Sequence, residues 1–164
     1  MKKVKAPVVF FLTIIAYAVL HVTEETLGNF PRFMQENWGI PDIGYGQWLY
    51  HNMVFFLPVL LLGFLIFLID EEKYFPFGLA IPLWGVLNFL EHTFYTFKNL
   101  AVSPGFYSSL VFVLVFVAAL YVTKREGKLT VKNTLSAIAI SVSYWFISLL
   151  LVMLLAGKVH RIFS

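Results

Sequence analysis

The chain has 164 residues, 60% of them hydrophobic and 13% charged, with a mean hydropathy of +0.82. A soluble domain is closer to half apolar and a quarter charged, so the excess belongs to apolar runs of membrane-crossing length and nothing is left over for a separate soluble domain. A net charge of +3 carried on short segments speaks to orientation in a membrane and not to nucleic acid, and the absence of cysteine excludes disulfides and thiolate metal sites.

The expected fold is all-α: a single polytopic membrane helix bundle of about five transmembrane helices, with an interfacial cap loop. The first span is placed at about 8–27. Met1 to Ala18 has the outline of a signal peptide, with Lys2, Lys3 and Lys5 before an apolar run and Ala16-Tyr17-Ala18 after it, but it reads as an uncleaved first helix. The strictly apolar part ends at Leu20, about 15 residues or ~22 Å of helix, too short for a hydrocarbon core of ~30 Å. The helix must therefore continue through His21 and Glu25, which puts these side chains inside the membrane edge. Residues 28–50 follow, rich in Gly, Pro, Trp and Tyr, with a short interfacial helix expected at 32–38 and the whole segment folded over the membrane face as a cap.

The second span is placed at about 53–69 and is followed by the polar turn Asp70-Glu71-Glu72-Lys73. The third covers about 75–97, with Pro76 at its start and Pro82 inside it. The fourth covers 106–123 and leads into the basic loop around Lys124, Arg125 and Lys128. The fifth covers 135–156. The last two spans carry no ionisable side chain other than tyrosine and read as scaffold. With the N-terminus inside, the inner segments hold Lys2, Lys3, Lys5, Lys73, Lys124, Arg125, Lys128 and Lys132, and the outer ones hold Arg32, Lys98, Lys158 and Arg161. The positive-inside rule then favours N-terminus inside and C-terminus outside.

Alternation of five spans brings the end of the first, the start of the second and the end of the third to one membrane face. His21, Glu24 and Glu25 end the first, His51 starts the second, and Asn88, Glu91 and His92 lie near the end of the third. Every histidine except His160 of the tail therefore falls at one depth. His21 with Glu24 and Glu25 is spaced i, i+3 and i, i+4, so the three can share a helix face, with Tyr17 one turn before; Asn88 and His92 are again i and i+4, and Tyr95 is one turn on. Ionisable groups inside a membrane are costly and mark functional sites facing the bundle interior. Imidazoles with carboxylates form a ligand set for zinc or iron, as one ion or two. The expected metal ligands are His21, Glu25, His51, Glu91 and His92, with Tyr17, Asn88 and Tyr95 around them. Glu24 and Glu25 are the catalytic candidates, one as ligand and the other as general base.

His21-Val22-Thr23-Glu24-Glu25 resembles the signature of the HXXEE-motif integral membrane proteins, small multi-span bacterial proteins. The resemblance extends to His51-Asn52 and to Asn88 with Glu91-His92, and it covers most of the chain from the first span to the fourth. It implies that these residues form one site in a bacterial cell membrane, and it names no substrate.

The expected function is a membrane-embedded, metal-dependent hydrolase acting on a membrane lipid or other apolar small molecule through metal-activated water, because a site inside a leaflet is reached more easily from lipid than from water. A dinuclear-iron oxidoreductase is the first alternative, and two histidines holding a haem is a weaker one. A non-enzymatic protein that binds a ligand or passes protons or ions through a buried His/Glu network is the alternative from another class. The sequence leaves the oligomeric state open, a homo-oligomer included.

Overall fold

The computed structural model describes residues 4–40, 43–69 and 72–163. All its regular elements are helical, with no strand among the described residues. Helix α1 is Ala6–Leu27, and it changes character on the way: α-helical over Ala6–Ile15, a π-helical turn over Ala16–His21, then α-helical again over Val22–Leu27. Helix α2 is Phe30–Trp38, α3 is Tyr45–Ile69, α4 is Phe75–Asn99, α5 is Phe106–Arg125 and α6 is Val131–Phe163. A single 3-10 turn, Glu72–Tyr74, precedes α4.

Among the described residues, three helices are long and apolar enough to cross a membrane, over Ala6–Leu27, Phe106–Arg125 and Val131–Leu151. They mark the chain as a membrane protein. Their outward faces carry large apolar side chains such as Val19, Leu114, Val117, Phe146 and Leu150, all exposed. Such a surface is unfavourable in water and suited to lipid. Each of the five apolar stretches expected as spans lies inside one of the long helices.

Helix α4 is central, packing along α5 and α6 and also touching α1 and α3. Near its N-terminus, Phe75, Leu79 and Ala80 meet Ala6, Val9 and Phe10 of α1, Ala119 and Val122 of α5, and Ala137 of α6. Gly85 admits close approach: a Cβ there would lie 2.8 Å from Phe112 Cβ of α5. Small residues of this kind let membrane helices gain van der Waals contact where burial of apolar surface supplies little drive.

Helices α1 and α5 run antiparallel. At one end the Ala6 amide donates to Glu126 Oε1 at 3.0 Å, and the Arg125 guanidinium donates to the Val4 carbonyl. At that same end the Lys128 ammonium lies over the Phe75 ring, 5.2 Å from its centroid. The basic groups thus gather opposite the histidines. Of the expected polar turn, Asp70 and Glu71 lie outside the described residues, as do Lys2 and Lys3 and the side chains of Lys158, His160 and Arg161.

The segment between α1 and α3 departs from expectation in two respects. Helix α2 begins two residues before the expected start at 32, and α3 begins at Tyr45 instead of 53. The aromatic residues Tyr45, Trp48 and Tyr50 suit a headgroup-level loop by type, but nothing in Tyr45 to Asn52 stops a helix, and Gln47, Trp48 and His51 turn one buried face inward. His51 is therefore almost two turns inside α3. Helix α2 buries Phe30, Phe33 and Met34 with Ile40, Ile43 and Trp48, and turns Arg32 and Glu36 outward as an exposed ion pair at 2.8 Å. Asn99 at the end of α4 donates to Asn37 Oδ1 of α2 at 2.9 Å.

Candidate metal centre

Three of the expected ligands meet. His21 on the π-helical turn, Glu25 one turn later on α1 and His92 on α4 are all buried, and their ligand atoms lie within 4.8 Å of one another. His21 Nε2 is 3.3 Å from Glu25 Oε1, and His92 Nε2 is 3.7 Å from the same oxygen. The two imidazoles stand edge to face, with ring centroids 5.0 Å apart.

The other nitrogen of each ring is held by a serine. His21 Nδ1 is 2.8 Å from Ser108 Oγ, and His92 Nδ1 is 3.0 Å from Ser103 Oγ. A hydroxyl has one hydrogen to give. Ser108 gives its hydrogen to the Gly105 carbonyl at 3.1 Å, and Ser103 faces the Pro104 carbonyl at 3.4 Å. The network therefore assigns the proton of each ring to Nδ1, which donates to serine, and leaves a lone pair on Nε2. Two lone pairs and a carboxylate oxygen then converge, and His21 Nε2 has no hydrogen-bond partner. Acceptors facing one another in a buried site are costly unless a proton or a cation lies between them.

A metal ion fits that requirement. Two ligand atoms held at about 2.0–2.1 Å on a tetrahedral ion stand about 3.3–3.4 Å apart, close to the 3.3 Å and 3.7 Å seen here. Two histidines and one carboxylate, with a further position open, are a donor set shared by catalytic zinc and by mononuclear non-haem iron. His21, Glu25 and His92 could hold a metal ion of that kind, and the serines supply the outer hydrogen bonds that such ligands use.

Gly105 explains how the rings come so close. It stands at the start of α5 with φ +93°, and a Cβ there would lie 2.7 Å from Cε1 of both His21 and His92. Only a glycine leaves that space to the imidazoles and accepts that backbone angle.

Glu24 is placed elsewhere. Its Oε1 accepts from the Tyr107 amide at 3.1 Å and its Oε2 from the Ser108 amide at 2.6 Å. It caps the N-terminus of α5, where amide groups are unpaired and negative charge is favoured. Adjacent residues on a helix point about 100° apart, so Glu24 fixes Ser108 while Glu25 faces the histidines.

The remaining expected residues surround an adjoining cavity of about 90 Å³. His51, Glu91 and Asn88 line it together with Glu25 and His92, but His51 and Glu91 are not within the cluster of ligand atoms. Tyr17 also lines it, tilts against the His21 ring at 5.4 Å and donates to Asn52 Oδ1 at 2.6 Å. Tyr95 instead packs edge-on against Phe33 of α2, at 5.3 Å. Glu91 Oε2 accepts from the Trp145 indole of α6 at 3.2 Å.

The expectation that the last two helices are scaffold is corrected here. Helix α5 and the turn before it supply Gly105, Ser108 and Ser103, and α6 supplies Trp145. These residues do not ionise, so a search for titratable residues passes over them. Their one visible signal is Ser103-Pro104-Gly105, a turn sequence directly before an apolar helix.

Compared against protein families, curated proteins and solved structures, the chain matches none.

Proposed function

We propose that this protein is a membrane-embedded, metal-dependent enzyme, a hydrolase acting on a lipid or other apolar substrate, with His21, Glu25 and His92 as ligands for zinc or iron. The observation that carries this reading is the convergence of two histidine Nε2 atoms on Glu25 Oε1, with Ser103 and Ser108 against the opposite ring nitrogens. A divalent ion held there would acidify a bound water and polarise a carbonyl. The chain's own residues do the rest. Ser103 and Ser108 orient the rings, and Glu24 holds Ser108 by its amide. Glu91, across the cavity, is the carboxyl group placed to take or return a proton. In this reading α3 and α4 cross the bilayer beside α1, α5 and α6, giving five spans with the N-terminus inside and the C-terminus outside. Helix α2 caps the site, supported by Phe30, Met34 and Trp38 on the cavity wall. The protein is then an HXXEE-motif protein of a bacterial cell membrane.

A second reading, the dinuclear-iron oxidoreductase, is favoured by one observation: His51 and Glu91 line the same cavity as Glu25 and His92. Metal stoichiometry separates the two. Elemental analysis of the full chain purified in detergent is expected to give about one equivalent of zinc or iron, and about two for the dinuclear site. Cobalt(II) reconstitution is expected to give a ligand-field spectrum that His21→Ala and His92→Ala each abolish. Less than about a tenth of an equivalent of any transition metal after reconstitution overturns the proposal.

A further inference from the structure

The cavity beside the trio has walls whose hydrogen bonds are unfinished. Both ring nitrogens of His51 lack a partner, although the residue is only 3% exposed, and Asn88 Oδ1 lacks one as well. Asn52 on the same wall is already engaged by Tyr17 and by the Trp48 carbonyl. Unpartnered buried groups cost about 1–3 kcal/mol each. A bundle that keeps them has water or a ligand there.

The chamber also limits that ligand. At about 90 Å³ it has room for a few non-hydrogen atoms, too few for a phospholipid headgroup. Glu25 and Glu91 line it, and among the described residues no lysine or arginine does. Its unpartnered wall atoms include a carbonyl oxygen and a ring nitrogen that accepts. These features disfavour an anion and favour a small group that donates a hydrogen bond, a neutral one where the metal ion of the proposed function already supplies the positive charge.

A second space adjoins it. A groove of about 570 Å³ runs between α4 and α6, with Leu87, Leu90, Phe94 and Leu149 on its walls. Leu90 and Phe94 are more than half exposed, so the groove opens outward. Glu91, Trp145, Trp38 and Leu149 belong to both spaces. The Trp145–Glu91 hydrogen bond stands between the polar chamber and the apolar groove.

We propose that the substrate is a single-chain amphiphile whose small neutral, hydrogen-bond-donating head, a primary amide that water cleaves to carboxylic acid and ammonia, enters the chamber against His51 and Asn88 while its hydrocarbon chain lies in the groove between α4 and α6; a long-chain alcohol fills the same space as an uncleavable analogue. This rests on the metal-centre reading for the direction in which the head points. Entry is sideways from the lipid, past Trp145.

The test uses the metal-loaded full chain in detergent and a sixteen-carbon primary alcohol carrying a diazirine on its chain. Peptide mapping is expected to place crosslinks on Leu87, Leu90, Phe94 or Leu149, displaced by unlabelled hexadecanol or palmitamide. Palmitic acid and hexadecyl phosphate are expected to compete at least about tenfold less well. Leu90→Trp, which fills the exposed rim, is expected to remove the labelling. His51→Leu is expected to weaken it about tenfold without lowering the thermal unfolding midpoint, because the ring it replaces makes no hydrogen bond. The proposal is overturned if the anions compete equally or if Leu90→Trp changes nothing. It is also overturned if labelling is as strong in the apolar groove lined by Pro58, Phe77 and Ile140. Metal content is measured on the same sample. Bound metal without labelling overturns this inference alone, and labelling without metal supports the chamber and overturns the metal centre.

Discussion

Gly105→Ala is the most discriminating change available in this site. Its Cβ would stand 2.7 Å from Cε1 of both imidazoles, where ordinary contact begins at 3.4 Å, so each contact must open by about 0.7 Å. Neither can swing freely, since Ser108 and Ser103 hold their far nitrogens. Metal-ligand distances tolerate about 0.2 Å. Loss of affinity for zinc or cobalt(II) of about ten- to a hundredfold is expected, the range found when support of metal-ligating histidines is removed. Overpacking adds about 1–3 kcal/mol of destabilisation to a backbone strain of about 1–2 kcal/mol at positive φ. Gly127→Ala isolates the strain, because Gly127 has φ +69° with nothing within 4 Å of its would-be Cβ. The assay is metal titration and thermal unfolding of both variants in detergent. Gly127→Ala is expected to bind metal normally with a modest loss of stability, and Gly105→Ala to fail in both. Equal metal affinity in the two variants would refute the placement of Gly105 between the rings.

Two further outcomes follow from the supports of the site. Ser108→Ala leaves the buried His21 Nδ1–H without an acceptor; metal affinity is expected to fall about ten- to a hundredfold, and unchanged affinity in a titration counts against the tautomer assignment. Glu24→Gln keeps the shape of the cap and removes its charge from the N-terminus of α5; a loss of about 0.3–2 kcal/mol in stability is expected, with metal still bound at the wild-type ratio. Loss of the metal in that variant would show Glu24 acting as a ligand.

Much of this arrangement was legible in the residues themselves. The shortness of the apolar run before His21 forced the motif inside the bundle, and alternation of spans carried His92 to the same level. Glu25 and His21 share a face because four residues make about one turn. The division of labour between Glu24 and Glu25 was not legible, because spacing tells which residues neighbour each other on a helix but not which way the helix is rotated. That rotation comes from packing against α4 and α5. The serines were invisible for another reason: a hydroxyl in an apolar stretch has no pattern of its own, and its role exists only once the imidazole is in place. The early start of α3 was missed because aromatic residues suit both a headgroup-level loop and a buried helix face.

The π-helical turn at Ala16–His21 has a consequence for how this region can vary. A wide turn holds one residue more than an α-turn over the same rise, and each residue moves the following side chains about 100° around the axis. Removing any single residue between Ile15 and His21 would restore a regular helix and swing His21 and Glu25 together away from His92, even with every functional side chain still present. Substitutions within the turn leave that phase alone. The site therefore depends on the number of residues in this stretch more strictly than on their kind, and length is the property of α1 under the tighter constraint.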